Sequence, residues 1–253
     1  MDLTILLGFL VGFGAEIIDG ALGMAYGVIS NTIMLALGYS PAVASASVHA
    51  AEIVTTATSG VSHWRFGNVD KKLFKSLIIP GVIGGVIGAY ILVNVPSVYI
   101  KPIVAAYLMA MGLVILTRGI KGVPSGEVRK NVEVLGLVGG FCDAIGGGGW
   151  GPVVTSTLIA RGNTPRYTIG SVNLSEFFVT TAESITFFLT IGSMLNWKLI
   201  FGITLGGVLA APLGAWATSR LPIRTLMIMV GLLVLLTSAR TLYLALPALV
   251  KLF

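Results

Sequence analysis

Six of the ten acidic residues lie inside stretches of apolar sequence: Glu16, Asp19, Glu52, Asp143, Glu176 and Glu183. A carboxylate at the centre of a membrane helix costs about 2.5–3.5 kcal/mol on insertion scales, so one kept there points to proton exchange, to ion contact or to a backbone it must hold. Spacing singles out four of them. Asp19 and Asp143 are 124 residues apart, and so are Glu52 and Glu176. These four are the candidate proton-coupling groups. A carboxylate beside a glycine break also satisfies nearby backbone amides, which is the competing structural role for Asp19 and Asp143. Glu16 and Glu183 have no acidic mate at that spacing and fit a local role near a helix end as well as a functional one.

His49 precedes Glu52 by three positions and Asn173 precedes Glu176 by three. On helices each pair therefore shares one face, with Ser47 or Ser171 close by. A His-x-x-Glu step invites a carboxylate-rich metal site, yet the second copy carries Asn173 and the other histidine, His63, sits at a helix end. The reading is no metal and no cofactor, with His49 handling protons, touching substrate or serving as a satisfied core histidine. Glycines Gly20 and Gly23 in one place and Gly146, Gly147, Gly148 and Gly149 in another let the chain break inside a membrane. A helix restarting after such a break presents amide N–H groups that attract anions. The substrate-binding candidates are accordingly Gly23, Gly27, Gly147, Gly148 and Gly149, with Ser47, His49, Ser171 and Asn173 as side-chain partners and Tyr26 and Trp150 as walls. Aromatic packing against glycine explains Tyr26 and Trp150 equally well.

These residues are positioned by a chain that is 55% hydrophobic and 10% charged, with mean hydropathy +0.95. Soluble domains carry about 25% charged residues, so the bilayer is the solvent here. Ten apolar segments can be marked, at about 3–19, 23–38, 41–63, 73–95, 98–118, 132–147, 150–161, 165–191, 198–219 and 223–246. The second and seventh are shorter than the roughly 17–25 residues a span needs, and each follows a glycine break. They read as half-helices or re-entrant hairpins.

The register that pairs the acids extends along the halves: Tyr26 falls on Trp150, Gly27 on Gly151, Pro41 on Pro165, and Ser47-Val48-His49 on Ser171-Val172-Asn173. After a two-residue slip Lys72 meets Lys198, Gly88 meets Gly214 and Pro96 meets Pro222. The expected fold class is an all-α polytopic membrane protein of two inverted repeats, each of about five helical segments. Residues 1–118 form the first repeat, 119–131 a cytoplasmic linker and 132–253 the second. With both termini external, twelve of the sixteen basic residues fall in cytoplasmic loops, as positive-inside bias demands. Lys101, Lys198, Arg240 and Lys251 fall on the other side. A re-entrant hairpin plus three spans per half has the same parity and stays open.

Several classes are set aside. The net charge of +6 comes from basic residues dispersed between apolar segments, which excludes a nucleic-acid surface. One cysteine, Cys142, permits no intramolecular disulfide. Met1-Asp2 leads straight into an apolar segment, without the pattern of a removed leader. No His-Glu-x-x-His or Gly-x-Ser-x-Gly marks an enzyme. Gly81, Gly84, Gly85 and Gly88, with Gly206, Gly207, Ala210, Ala211 and Gly214, have the small-residue spacing of tight helix packing.

The paired glycine break with its acid, the stretch Asp143-Ala144-Ile145-Gly146-Gly147-Gly148-Gly149-Trp150-Gly151-Pro152 and the stretch Gly170-Ser171-Val172-Asn173-Leu174-Ser175-Glu176 resemble the TauE/SafE family of sulfite exporter-like permeases. The resemblance covers almost the whole chain. It implies transport of small sulfur-containing or organic anions, such as sulfite or sulfonates, driven by an ion gradient. The expected partners are a small anion and the lipid bilayer, and a homo-oligomer stays open. The alternative is a cation or cation/proton antiporter, for which two symmetry-related acid pairs would also serve.

Overall fold

Local chemistry sets where the helices begin and end. Pro41 and Pro165 open two of the longest, at a position where the missing N–H has no intrahelical partner to lose. Asp70 caps another by accepting hydrogen bonds from the amides of Lys72 and Leu73 at 2.9 and 3.2 Å. Asn196 accepts from Leu199 N at 3.2 Å ahead of a fourth. Gly147, with φ of 64°, closes a fifth in the left-handed conformation that glycine adopts without strain.

The computed structural model describes residues 2–22, 24–121, 131–155, 157–158, 161, 163, 165–218 and 223–250. These form α1 (Leu3–Leu22), α2 (Tyr26–Ala36), α3 (Pro41–Arg65), α4 (Lys71–Asn94), α5 (Ser97–Lys121), α6 (Val132–Gly146), a π-type turn (Gly151–Thr155), α7 (Pro165–Ile191), α8 (Trp197–Thr218) and α9 (Ile223–Val250). The protein is all-α, as its segments predict. Helix α5 runs to Lys121, three residues past the expected end of the first repeat; the rest of the expected linker up to 130 lies outside the described residues, as does Gly23.

Four described helices, Lys71–Asn94, Ser97–Lys121, Tyr167–Met194 and Met227–Pro247, are long and apolar enough to cross a bilayer. Helix α3 has 25 residues but spends Ser45, Ser47, His49, Glu52 and Thr56 on buried positions. Helix α4 separates two environments. Ile79, Ile83, Ile87 and Tyr90 are exposed along its outer side, an apolar stripe suited to lipid.

The opposite side of α4 carries the glycines. A methyl group at Gly84 would meet the Leu137 carbonyl, and one at Gly140 would meet the Gly81 carbonyl, so α4 and α6 touch backbone to backbone. Helices α1 and α8 do the same through Gly8, Gly12, Gly202 and Gly206. In lipid, where burial of apolar surface drives nothing, such close approach is what van der Waals association requires. At the centre α3 and α7 cross antiparallel: His49 lies against Glu183 and Ser59 against Asn173.

Candidate functional site

Two chain breaks meet at this crossing, and each is held by its own aspartate. Asp19 Oδ1 accepts from Ala25 N at 2.6 Å and Tyr26 N at 3.0 Å. Asp143 Oδ1 accepts from Gly149 N at 2.5 Å and Trp150 N at 2.9 Å. The acceptor reaches the sixth and seventh residues onward in both halves, so one local structure occurs twice. The carboxylates compensate the positive end of the element that follows. Of the glycine amides the sequence offered to an incoming anion, Gly149 N is thus taken by the Asp143 carboxylate and Gly148 N by the Asp143 backbone carbonyl at 3.1 Å, so Asp19 and Asp143 fill the structural role that competed with proton exchange.

The second break needs glycine. Gly147 and Gly148 have φ of 64° and 143°, and a methyl on Gly148 would strike the backbone of Gly27 and Val28. The breaks therefore lie in direct contact. Asn31 of α2 adds a tie by donating to the Gly146 carbonyl, and Ser45 Oγ donates to Ala144 O at 2.6 Å.

Beside the breaks lies a cavity of about 450 Å³, within the range of small-ligand sites. Asp19, Asp143, Glu52 and Glu176 all line it, together with Glu16, so the structure brings the four paired acids to one space. Tyr26, Gly27, Gly148, Gly149, Trp150 and Asn173 join them on the wall. Among the described lining residues there is no lysine or arginine. The cavity extends along α3 through Thr55, Thr56 and Ser59 to His63, and along α7 to Ile169. In the other direction it is shut: Ala44, His49, Glu183 and Phe187 are all 0% exposed.

Other candidates sit elsewhere. His49 lies behind the wall, with Nδ1 2.8 Å from Ser45 O and Nε2 2.8 Å from Glu183 Oε2 and 3.6 Å from Asp143 Oδ2. Ser47 is buried and off the cavity wall. Ser171 Oγ accepts from Asp70 N at 2.8 Å and donates to Tyr167 O at 2.7 Å, fastening the α3–α4 loop to α7. Gly147 packs against the Asn31 side chain. The donor atoms of His49, Asp143 and Glu183 lie within 4.8 Å of one another, the one set among the described residues close enough to share a cation. Here the ring and the Glu183 carboxylate already face each other directly.

Sequence reasoning passed over Asn31, Tyr107, Ser45 and Ser59. Asn31 is a lone amide in an apolar stretch, a signal that was available. Tyr107, packed on Gly146 and Gly149, carries none.

Comparison with known proteins gives the family. The family described as "Sulfite exporter TauE/SafE" matches residues 8–241. A curated relative from Bacillus subtilis (strain 168), "Probable membrane transporter protein YtnM", is 44% identical over 241 residues, covering 92% of this chain and 80% of the relative. No solved structure matches. With the match spanning both breaks and reaching into every described helix from α1 to α9, the chain belongs to the TauE/SafE family of membrane transporters.

Proposed function

We propose that this transporter moves small anions, sulfite or organosulfonates among them, together with protons, by alternating access between two inverted repeats. The observation that supports coupling is the cavity wall, where five carboxyl groups gather and no fixed cation is found among the described residues. Like charges about 4 Å apart repel by about 4 kcal/mol at an effective dielectric constant near 20. An anion therefore shares this space with Glu52 and Glu176 only when they carry protons. Anion and proton then bind as a unit and travel in the same direction, inward when the outside is acid. The protonated carboxyls, the second amide hydrogen of Asn173 and the hydroxyl of Ser59, which accepts from Asn173 Nδ2, supply the donors an oxyanion needs.

Alternating access is supported by the way the elements pair. Exchanging the halves carries α1 onto α6, α3 onto α7 and α4 onto α8, and the observed partners α1 with α8 and α4 with α6 are one contact written twice. The antiparallel crossing of α3 and α7 fits a two-fold axis in the membrane plane. Basic residues Arg65 and Arg166 flank the end of α3 and the start of α7, so positive-inside bias makes the open end cytoplasmic. The sulfur oxyanion as substrate rests on the family description.

The test is uptake of labelled sulfite, and separately of a small sulfonate, into proteoliposomes with and without acid outside. Wild type should accumulate anion under the gradient, and Glu52→Gln or Glu176→Gln should abolish the accumulation. The same five carboxyls favour one competing reading, a cation exchanger. Na⁺ or Ca²⁺ flux dependent on these glutamates, without anion flux, would establish that reading and sink ours.

A further inference from the structure

The register that lays Glu52 on Glu176 also lays His49 on Asn173 and Ser59 on Glu183, each 124 residues apart. The contacts run between the two sets of mates, and each is the repeat image of the other. Asn173 Nδ2 donates to Ser59 Oγ at 3.1 Å, and His49 Nε2 lies 2.8 Å from Glu183 Oε2. One location in the repeat thus holds a neutral pair in the open half, with Ser59 and Asn173 on the cavity wall, and a titratable pair in the sealed half. Glu183, which has no acidic mate, has a polar one.

We infer that His49 and Glu183, with Asp143 beside them, form a proton-loading site for the sealed face, closed to water here and opened when the transporter turns. This rests on the alternating-access reading above. The geometry leaves a place for the proton. Nδ1 of His49 points at the Ser45 carbonyl at 2.8 Å and so carries a hydrogen, which leaves Nε2 to face two carboxylates at 2.8 and 3.6 Å. The Glu183 contact is the shorter by 0.8 Å, and Asp143 already spends its Oδ1 on two amides, so the exchangeable proton is assigned to the ring and Glu183. Two carboxylates beside a neutral ring in a dry interior would be an uncompensated charge of high cost, and a bound proton reduces it.

The charged neighbours of the ring come from α7 (Glu183) and α6 (Asp143), with Glu52 one turn along α3. Tyr107 of α5 and Cys142 of α6 face Asp143, and Tyr26 of α2 faces Glu52. Asp143 also lines the cavity, so the pair lies one residue behind the space that holds Glu52 and Glu176. A proton taken up on the far side has a short route to them.

The test copies the neutral pair into the sealed half with His49→Asn plus Glu183→Ser. Labelled sulfite exchange is measured in right-side-out and inside-out vesicles while pH is varied on one face at a time. Wild type should respond to external pH by roughly tenfold per unit, as a one-proton step does, and the double variant by less than about twofold. The reciprocal variant, Asn173→His plus Ser59→Glu, should add a comparable response to cytoplasmic pH, and carries the test if the first fails to fold. Acid-induced infrared difference spectra give a readout without substrate: wild type should show a protonated carboxyl band that Glu183→Gln lacks. An unchanged external response in the double variant, an unchanged band, or a stoichiometric metal lost with His49 would each overturn the inference. Absence of sulfite flux in wild type with the Glu183 band present would instead refute the anion reading and leave the proton site standing.

Discussion

Asp143 accepts two amide hydrogen bonds through a single oxygen while 1% exposed. Hydrogen bonds to a charged group contribute about 1.5–3 kcal/mol each, and stranding buried donors adds their desolvation cost. Asp143→Ala should therefore lower stability by at least about 2 kcal/mol, whereas Asp143→Asn, which keeps an acceptor, should lose about half as much. Thermal unfolding in detergent, read by size-exclusion recovery, checks this, and equal losses would show that the acceptor geometry is irrelevant. Asp19→Ala should behave alike, since its contacts have the same form. Residue spacing revealed that these acids are paired, and that Glu52 and Glu176 belong with them. It could not separate Ser171 from Asn173, two residues apart on one helix, because the α3–α4 loop that captures Ser171 comes from the other half of the chain. Nor could it tell that His49 turns behind the wall, since that depends on Glu183 arriving from α7.

At the scale of elements, glycine does two different jobs, and neighbouring positions tell them apart. A methyl at Gly12 would collide with the Ile203 carbonyl, whereas Gly14, one half-turn on, has nothing within 4 Å. Gly12→Ala should cost about 1–3 kcal/mol through forced separation of α1 and α8, and Gly14→Ala should gain about 0.5–1 kcal/mol from better helix propensity. Melting the two variants side by side decides it; equal behaviour would mean that α1 and α8 are not in backbone contact. Gly148→Ala faces both strain at φ 143° and a clash with Gly27, so transport and stability should fall together there. The helix pattern was readable because the small-residue rows of α4 and α8 leave a period in the sequence. Their partners were not: Gly8 and Gly12 of α1 and Gly136 and Gly140 of α6 emerge only once the elements are paired. The breaks were legible as glycine clusters, but the capping path from Asp19 to Ala25 and from Asp143 to Gly149 depends on how the backbone turns between them.

For the whole molecule, the proposed inverted repeat makes a demand that no single residue does: whatever is open at one end must have a closed counterpart at the other. Ile169 lines the cavity at the start of α7, and its counterpart 124 positions earlier is Ser45, 0% exposed and bonded to Ala144. With Cys142→Ser removing the native thiol, Ile169→Cys should react with a membrane-impermeant maleimide from the cytoplasmic face, and Ser45→Cys should be inert. Acid outside together with sulfite should slow labelling of the first and expose the second to reagent from the external face. The sign follows from the coupling argument, because protons and anion loaded from outside stabilise the form open to that side, and a ligand shifts the population only by its differential affinity for the two forms. Labelling of both positions from the same face would refute the two-fold relation between the halves, while labelling from opposite faces without any response to acid and sulfite would keep the symmetry and remove the proposed coupling.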